Sequence, residues 1–361
     1  MRVCGFVYHH YPQTVATFSV VTPQQSSMVR DALSRPLRDL RISVIDRCNF
    51  RCSYCMPREV FGKDYPYLER DEILSFEEID HLVTSLLPLG IEKIRLTGGE
   101  PLVRRDFVKL VEMLSRHDVE LALTTNGVLL QQFARPLADA GLNRVTVSLD
   151  ALDDETFQKM TDSDIKVSQI LAGIDAAIEN GLGPVKINTV IRRGVNEHSI
   201  LEIIEHFRGT GVIVRFIEFM DVGSSNSWRM DEVVTAEETR SIINEKYDLS
   251  EIPPVDASHV AKVWQTSNGD KIGFITSISQ PFCGSCTRGR ISSEGKFYNC
   301  LFADSGFDLK PHLRARVSEE EIQEMVTGVW EMRADRYSEM RGEQTNASRI
   351  RLPIEMSHIG G

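Results

Sequence analysis

The chain of 361 residues has no apolar run near the ~18 residues that a membrane-spanning helix needs, so no membrane partner is expected. It also lacks a basic excess. Its 41 Lys and Arg against 52 Asp and Glu leave a net charge of −11, which argues against general affinity for nucleic acid or an anionic membrane surface. The first 30 residues contain no acid and only two arginines, Arg2 and Arg30. A transit peptide to the mitochondrial matrix is the alternative this composition raises. With arginine so sparse, a mobile N-terminal extension over residues 1–37 of a cytoplasmic protein is the expectation. Cysteine is scarce and odd in number, seven in all. Without a secretory signal that argues against a disulfide framework and favours reduced thiols held for metal. What remains, 42% hydrophobic and 26% charged residues, describes a globular chain able to bury roughly 75% of its unfolded surface.

Cys4 stands alone and is read as incidental. The other six cysteines form two triplets, Cys48-x3-Cys52-x2-Cys55 and Cys283-x2-Cys286-x13-Cys300. Three thiolates are one short of the four that close a tetrahedral zinc site or ligate every iron of a four-iron cluster. Each triplet therefore implies a metal position open to something other than protein. On spacing alone both remain compatible with zinc, the second as a knuckle completed by His259 or His312.

From residue 41 short β-rich runs alternate with helical stretches. Strands are expected at 41–45, 91–96, 120–123, 144–149, 185–191 and 212–217. Helices are expected at 76–89, 107–114, 129–140, 153–160, 166–180 and 198–207. Ser75 with Glu78 three residues on reads as a capping box. This order predicts a parallel sheet with right-handed crossovers. The expected division is a barrel-like unit at 38–222, an α+β region at 223–345 carrying the second triplet, and a tail at 346–361. Unusual polar clusters follow the strands, among them Thr97-Gly98-Gly99-Glu100-Pro101 and Ser148-Leu149-Asp150. In α/β proteins that edge holds the ligand. Arg95 and Lys186 lie inside apolar strands, where a lone buried cation is costly without an anion. Arg288 and Arg290 sit two residues apart beyond Cys286, facing one side of a strand. Such a set can grip phosphates bidentately.

The Cx3Cx2C loop, with Tyr54 before its third cysteine and Gly98-Gly99-Glu100-Pro101 one β/α unit later, resembles the radical S-adenosylmethionine superfamily. The resemblance implies an incomplete (β/α)6 TIM-type barrel whose reduced cluster cleaves S-adenosylmethionine to methionine and a 5′-deoxyadenosyl radical. The runs Asp46–Cys52, Tyr54–Pro57, Val185–Val190 and Phe216–Met220, the second triplet with its arginines, and Met356–Gly361 narrow it. Over residues 38–361 the chain is similar to the GTP 3′,8-cyclase family of molybdenum-cofactor biosynthesis. That family implies two four-iron, four-sulfur clusters, on Cys48, Cys52 and Cys55 and on Cys283, Cys286 and Cys300. It implies S-adenosylmethionine contacts at Tyr54, Gly99, Ser148 and Met220, with Gly98 and Gly99 leaving room for the amino end. GTP contacts are implied at Arg41, Arg95, Thr124, Lys186, Arg288, Gly289 and Arg290, with Arg288 or Arg290 also acting in catalysis. The implied reaction takes hydrogen from the ribose 3′ carbon and closes a ring on guanine C8. Gly360 and Gly361 would form a tail entering the barrel. A homodimer, a reductase or a flavodoxin- or ferredoxin-type electron donor, and a downstream cyclic pyranopterin monophosphate synthase are the implied partners. One departure is Ile45, where the family usually has threonine. Two rivals remain: a peptide or sulfatase maturase, and a metal-holding scaffold without turnover.

Overall fold

The computed structural model describes residues 28–253, 260–341 and 354–360. Cys4, His259 and Gly361 lie outside them. Six parallel strands form the centre: β1 (Asp39–Ser43), β2 (Lys93–Thr97), β3 (Glu120–Thr125), β4 (Arg144–Ser148), β5 (Lys186–Ile191) and β6 (Ile213–Glu218). They are joined through α1 (Phe76–Leu86), α2 (Phe107–Leu114), α3 (Leu130–Asp139), α4 (Asp154–Thr161), α5 (Val167–Glu179) and α6 (Ser199–His206). Pro88 falls at the end of α1, and the expected helix to residue 89 continues only as a 3-10 turn, Leu87–Leu89. The Ser75–Glu78 capping box is formed in both directions. Strand interiors such as Ile42, Leu96, Leu123, Val147 and Ile187 are fully buried under the helices, as expected for a parallel sheet covered on its outer face.

The second half does not stand apart as an appended region. Two of its strands, β9 (Lys271–Ile275) and β10 (Arg288–Ile291), hydrogen-bond in parallel to the two edges of the six-stranded unit, β9 to β6 and β10 to β1. Beyond them β7 (Leu249–Ile252) and β8 (Lys262–Thr266) extend one side, and β11 (Lys296–Tyr298) and β12 (Phe307–Asp308) the other, in antiparallel pairs. Among the described residues all twelve strands thus belong to one sheet. Both open edges are covered, which removes the unpaired backbone a partial barrel would expose. The docked chain also begins earlier than the expected extension allows. Leu37 is fully buried, and Val29 exchanges backbone hydrogen bonds with Leu89 and Leu37.

Candidate active site

The first triplet occupies the loop between β1 and α1. Its turn is closed by Cys52 O, which accepts from the Cys55 and Met56 amides at 3.0 and 2.9 Å. The α4 end holds it from one side, Thr161 O accepting from Arg51 N and Met160 O from Ser53 N. The Gly98-Gly99 turn holds it from the other. Gly99 N donates to Ile45 O at 2.8 Å and Glu100 N to Arg47 O at 2.9 Å. A Cβ on Gly98 would stand 2.5 Å from Ile45 O, and one on Gly99 2.3 Å from Arg47 O. These glycines therefore admit the cysteine loop's own backbone. The missing side chains make room for that backbone, while both glycines also line the cavity. Ile45 offers its carbonyl here while its side chain packs against the core.

Two buried carboxyls back this loop. Glu100 accepts from Leu102 N, Thr125 Oγ1 and Asn126 N at 3.0, 2.8 and 2.7 Å, yet burial raises its pKa to about 7. Asp150 accepts from Tyr54 Oη at 2.7 Å and Val190 N at 2.9 Å, and burial raises it to about 6. Burial and Glu100 push the Cys48 thiol up to about 11, with Arg51 opposing. Cys52 and Cys55 move up as well, through burial and their neighbouring thiols. Neither carboxyl was singled out from sequence. The signal was there in each case, an acid directly after a glycine pair or after a strand.

The second triplet is discontinuous. Cys283 opens a 3-10 turn, Cys283–Ser285, that Cys286 caps before β10, and Cys300 follows β11. Arg288 Nε donates to Cys286 Sγ at 3.2 Å. Burial opposes ionisation of Cys286, but Arg288 and Arg333 outweigh it and bring the thiol down to about 6. Cys300, more governed by burial and by Asp335, goes up to about 11. Strand register lines up the arginines: Arg290, Arg41 and Arg95 are direct neighbours across β10, β1 and β2. Burial and mutual repulsion draw the pKa of Arg41 and Arg290 well below the usual value, and burial with Arg215 and Arg144 brings Arg95 to about 9. Arg95 also donates to Thr124 Oγ1 at 3.2 Å.

One continuous cavity is lined by all six cysteines and by Tyr54, Gly99, Ser148, Met220, Arg41, Arg95, Thr124, Arg288 and Arg290. Gly289 and Lys186 are not in its wall. A Cβ on Gly289 would face Leu37 and Phe297 in the core, and Lys186 sits among Arg144, Arg215 and Arg95, its pKa lowered by burial and by them to about 7. Met356 and Ser357, near the chain end, reach the wall, and Arg290 donates to the Gly360 carbonyl. Sequence reading missed Arg215, buried between Val214 and Phe216, whose Nε has no protein partner. It sits in an apolar strand as Arg95 does, so the same argument would have found it.

The sulfur spacing bears on the metal. Among the described residues Asp153, His198 and Glu202 bring three ligand atoms within 4.8 Å of one another, and the sulfurs of neither triplet do so. A single tetrahedral zinc holds its sulfurs about 3.8 Å apart, from Zn–S bonds of about 2.3 Å. A larger group fits both triplets better.

Residues 42–207 match the model of the radical SAM superfamily, and 212–339 that of Molybdenum Cofactor Synthesis C. A Staphylococcus carnosus protein named GTP 3′,8-cyclase is 48% identical over 337 residues, covering 92% of this chain and 99% of its own. One of that name from Staphylococcus aureus strain MRSA252 is 47% identical with the same coverage. The chain belongs to the GTP 3′,8-cyclase family. It is a radical S-adenosylmethionine enzyme, with an iron–sulfur cluster and S-adenosylmethionine as its cofactors. Among solved structures, Streptococcus suis SuiB bound to S-adenosylmethionine shares the fold, with a TM-score of 0.59 at 14% identity over 87% of this chain and 69% of that one. Family membership replaces both rivals, the maturase and the scaffold.

Proposed function

We propose that the chain converts GTP to 3′,8-cyclo-7,8-dihydro-GTP, the first step of molybdenum-cofactor biosynthesis. The observation that carries this reading is the polarity of the shared cavity: buried carboxyls at one triplet, a row of arginines at the other. S-adenosylmethionine carries a sulfonium and an ammonium, while GTP carries a triphosphate, so each suits one end. Cys48, Cys52 and Cys55 would hold the first cluster. Cys283, Cys286 and Cys300 would hold a second whose open position meets guanine. When bound, the first cluster and S-adenosylmethionine supply the one-electron chemistry that removes hydrogen from the ribose 3′ carbon.

Glu100 and the Gly99 turn receive the amino end of S-adenosylmethionine, Ser148 its ribose or carboxylate, and Met220 its adenine as an adaptable apolar surface. Arg41, Arg95, Thr124 and Arg215 place the triphosphate, with Lys186 adding charge from behind the wall and Gly289 positioning its two neighbours. The hydrogen atom from C3′ would pass to the 5′-deoxyadenosyl radical and leave as 5′-deoxyadenosine, the C3′ radical would bond to C8, and one further electron and a proton would complete the ring. Arg288 and Arg290 stabilise charge in that closure, and Arg290 also holds the Gly360 carbonyl at the site.

We further read 38–222 and 223–345 as two functional units of one sheet, one per triplet. The electron source is a reductase or a flavodoxin- or ferredoxin-type donor, the product passes to a cyclic pyranopterin monophosphate synthase, and the chain works as a homodimer in the cytoplasm. No helix among the described residues is long and apolar enough to cross a membrane. The test is anaerobic reconstitution with iron and sulfide, then dithionite, S-adenosylmethionine and GTP. GTP-dependent 5′-deoxyadenosine together with a cyclised nucleotide is expected. Equal 5′-deoxyadenosine with and without GTP, and no cyclised product, would overturn the reading.

A further inference from the structure

Behind the second triplet lies a charged network that the proposed reaction does not use. Asp31, Arg35 and Arg333 have side chains at most 2% exposed. Asp31 Oδ2 accepts from Arg35 Nε at 2.5 Å and from Arg333 at 3.4 Å. Each arginine then reaches the backbone of one metal-site cysteine. Arg35 donates to Cys283 O at 2.8 Å, and Arg333 to Cys286 O at 2.9 Å. Trp330 closes the group, its ring 4.5 Å from the Arg333 guanidinium and its Nε1 donating to Arg35 O at 3.1 Å.

This arrangement is not self-sufficient. Arg35 Nη2 and Arg333 Nε are buried without a hydrogen-bond partner. Two guanidiniums share one buried carboxylate; the other acid nearby, Asp335, is 3.8 Å from Arg333 and 45% exposed. Buried ion groups of this kind seldom stabilise a fold more than apolar packing would. An excess buried cation needs an anion, and the cysteine sulfurs beside it are where one would lie. Arg333 also lines the cavity.

We infer that Arg333, aimed by Asp31 and paired with Arg35, is a positioning residue whose buried charge sets how readily the iron–sulfur group on Cys283, Cys286 and Cys300 accepts an electron. The inference rests on the reading of the second triplet as a cluster site. Net charge and hydrogen bonding around the sulfurs are what tune such potentials. A fixed cation favours the more negative, reduced form, so removing it makes reduction harder and removing Asp31 makes it easier.

The test uses the full chain with Cys48, Cys52 and Cys55 changed to alanine, so that iron reports the second triplet alone. Iron and sulfide are counted, and the midpoint potential is followed by electron paramagnetic resonance. Arg333→Gln should make one-electron reduction at least tenfold less favourable, a fall of about 59 mV. Arg333→Lys should restore most of it. Asp31→Asn should move the potential in the opposite direction, which mere loosening of the loop would not do. An unchanged potential in Arg333→Gln, a fall in Asp31→Asn, or loss of iron from both Arg333 variants overturns the inference. Absence of iron from the triple-alanine parent overturns the cluster reading instead.

Discussion

At the first triplet the carboxyls of Glu100 and Asp150 back the thiols and Arg51 opposes them at Cys48; at the second the guanidiniums of Arg288 and Arg333 bear on Cys286, with Asp335 opposing at Cys300. The holding of the two sites differs in the same way. The first is a single loop clamped backbone to backbone between Gly98-Gly99 and the end of α4. The second is assembled from a turn and a strand end, and is held by arginine side chains on cysteine carbonyls. Two cysteine sets of equal ligand count thus differ in what they attract and in how they tolerate change. Burial, with Glu100 beside it, raises the Cys48 thiol at the first site. A cationic pocket lowers Cys286 and calls for an anion.

The largest expected effect separates the two by chemistry. Cys52→Ala should reduce 5′-deoxyadenosine formation to background. Cys300→Ala should leave S-adenosylmethionine cleavage measurable while abolishing the cyclised nucleotide. Loss of both products in Cys300→Ala, with the first cluster's iron intact, would break the division of roles.

Next comes the difference in clamping. Gly99→Ala would drive a methyl to 2.3 Å from a backbone carbonyl of the cysteine loop. A cost at the upper end of the usual 1–3 kcal/mol for overpacking, about 3 kcal/mol, is expected in denaturant unfolding. Gly284→Ala, between Cys283 and Cys286, meets nothing nearer than Glu339 Oε1 at 3.7 Å. It should fall within about 0.5 kcal/mol of the parent. Equal costs would mean that the two loops are not held differently. Tyr54→Phe should be intermediate. It leaves Asp150 buried with Val190 N as its remaining donor, a loss of about 1–2 kcal/mol. That loss should shrink below pH 6, where Asp150 is protonated in the folded state.

Local pattern made the β/α rhythm and the first triplet legible, because α1 to α6 and β1 to β6 are each set by a run of a few residues and a cap or turn. The pairing of β10 with β1 was not, since Thr287 and Asp39 meet across 248 residues of chain. Periodicity carries no information about such partners. The same holds for Arg35, which reads as one more surface charge until its carbonyl partners are known. Gly98 and Gly99 were legible as a close approach, but sequence alone could not say that the approaching backbone is the chain's own.

The smallest effect concerns Lys186, the cation that stands behind the cavity wall. Burial and the nearby Arg144, Arg215 and Arg95 lower its pKa to about 7, so above pH 7 it is mostly neutral in the ligand-free enzyme. A triphosphate held by Arg95 and Arg215 would offset their repulsion and raise that pKa toward its ordinary value near 10.4. Binding between about pH 7.5 and 9 should then take up a fraction of a proton, and affinity for GTP should fall as pH rises, by at most tenfold per unit. Calorimetric titration in buffers of different ionisation enthalpy measures that uptake directly. Lys186→Met should abolish the uptake while leaving Arg41, Arg95 and Arg215 to hold the anion. Proton uptake of the same size in Lys186→Met would assign the linkage to another group of the cationic end. A slope of opposite sign would place the triphosphate elsewhere in the cavity, and with it the polarity that distinguishes the two triplets.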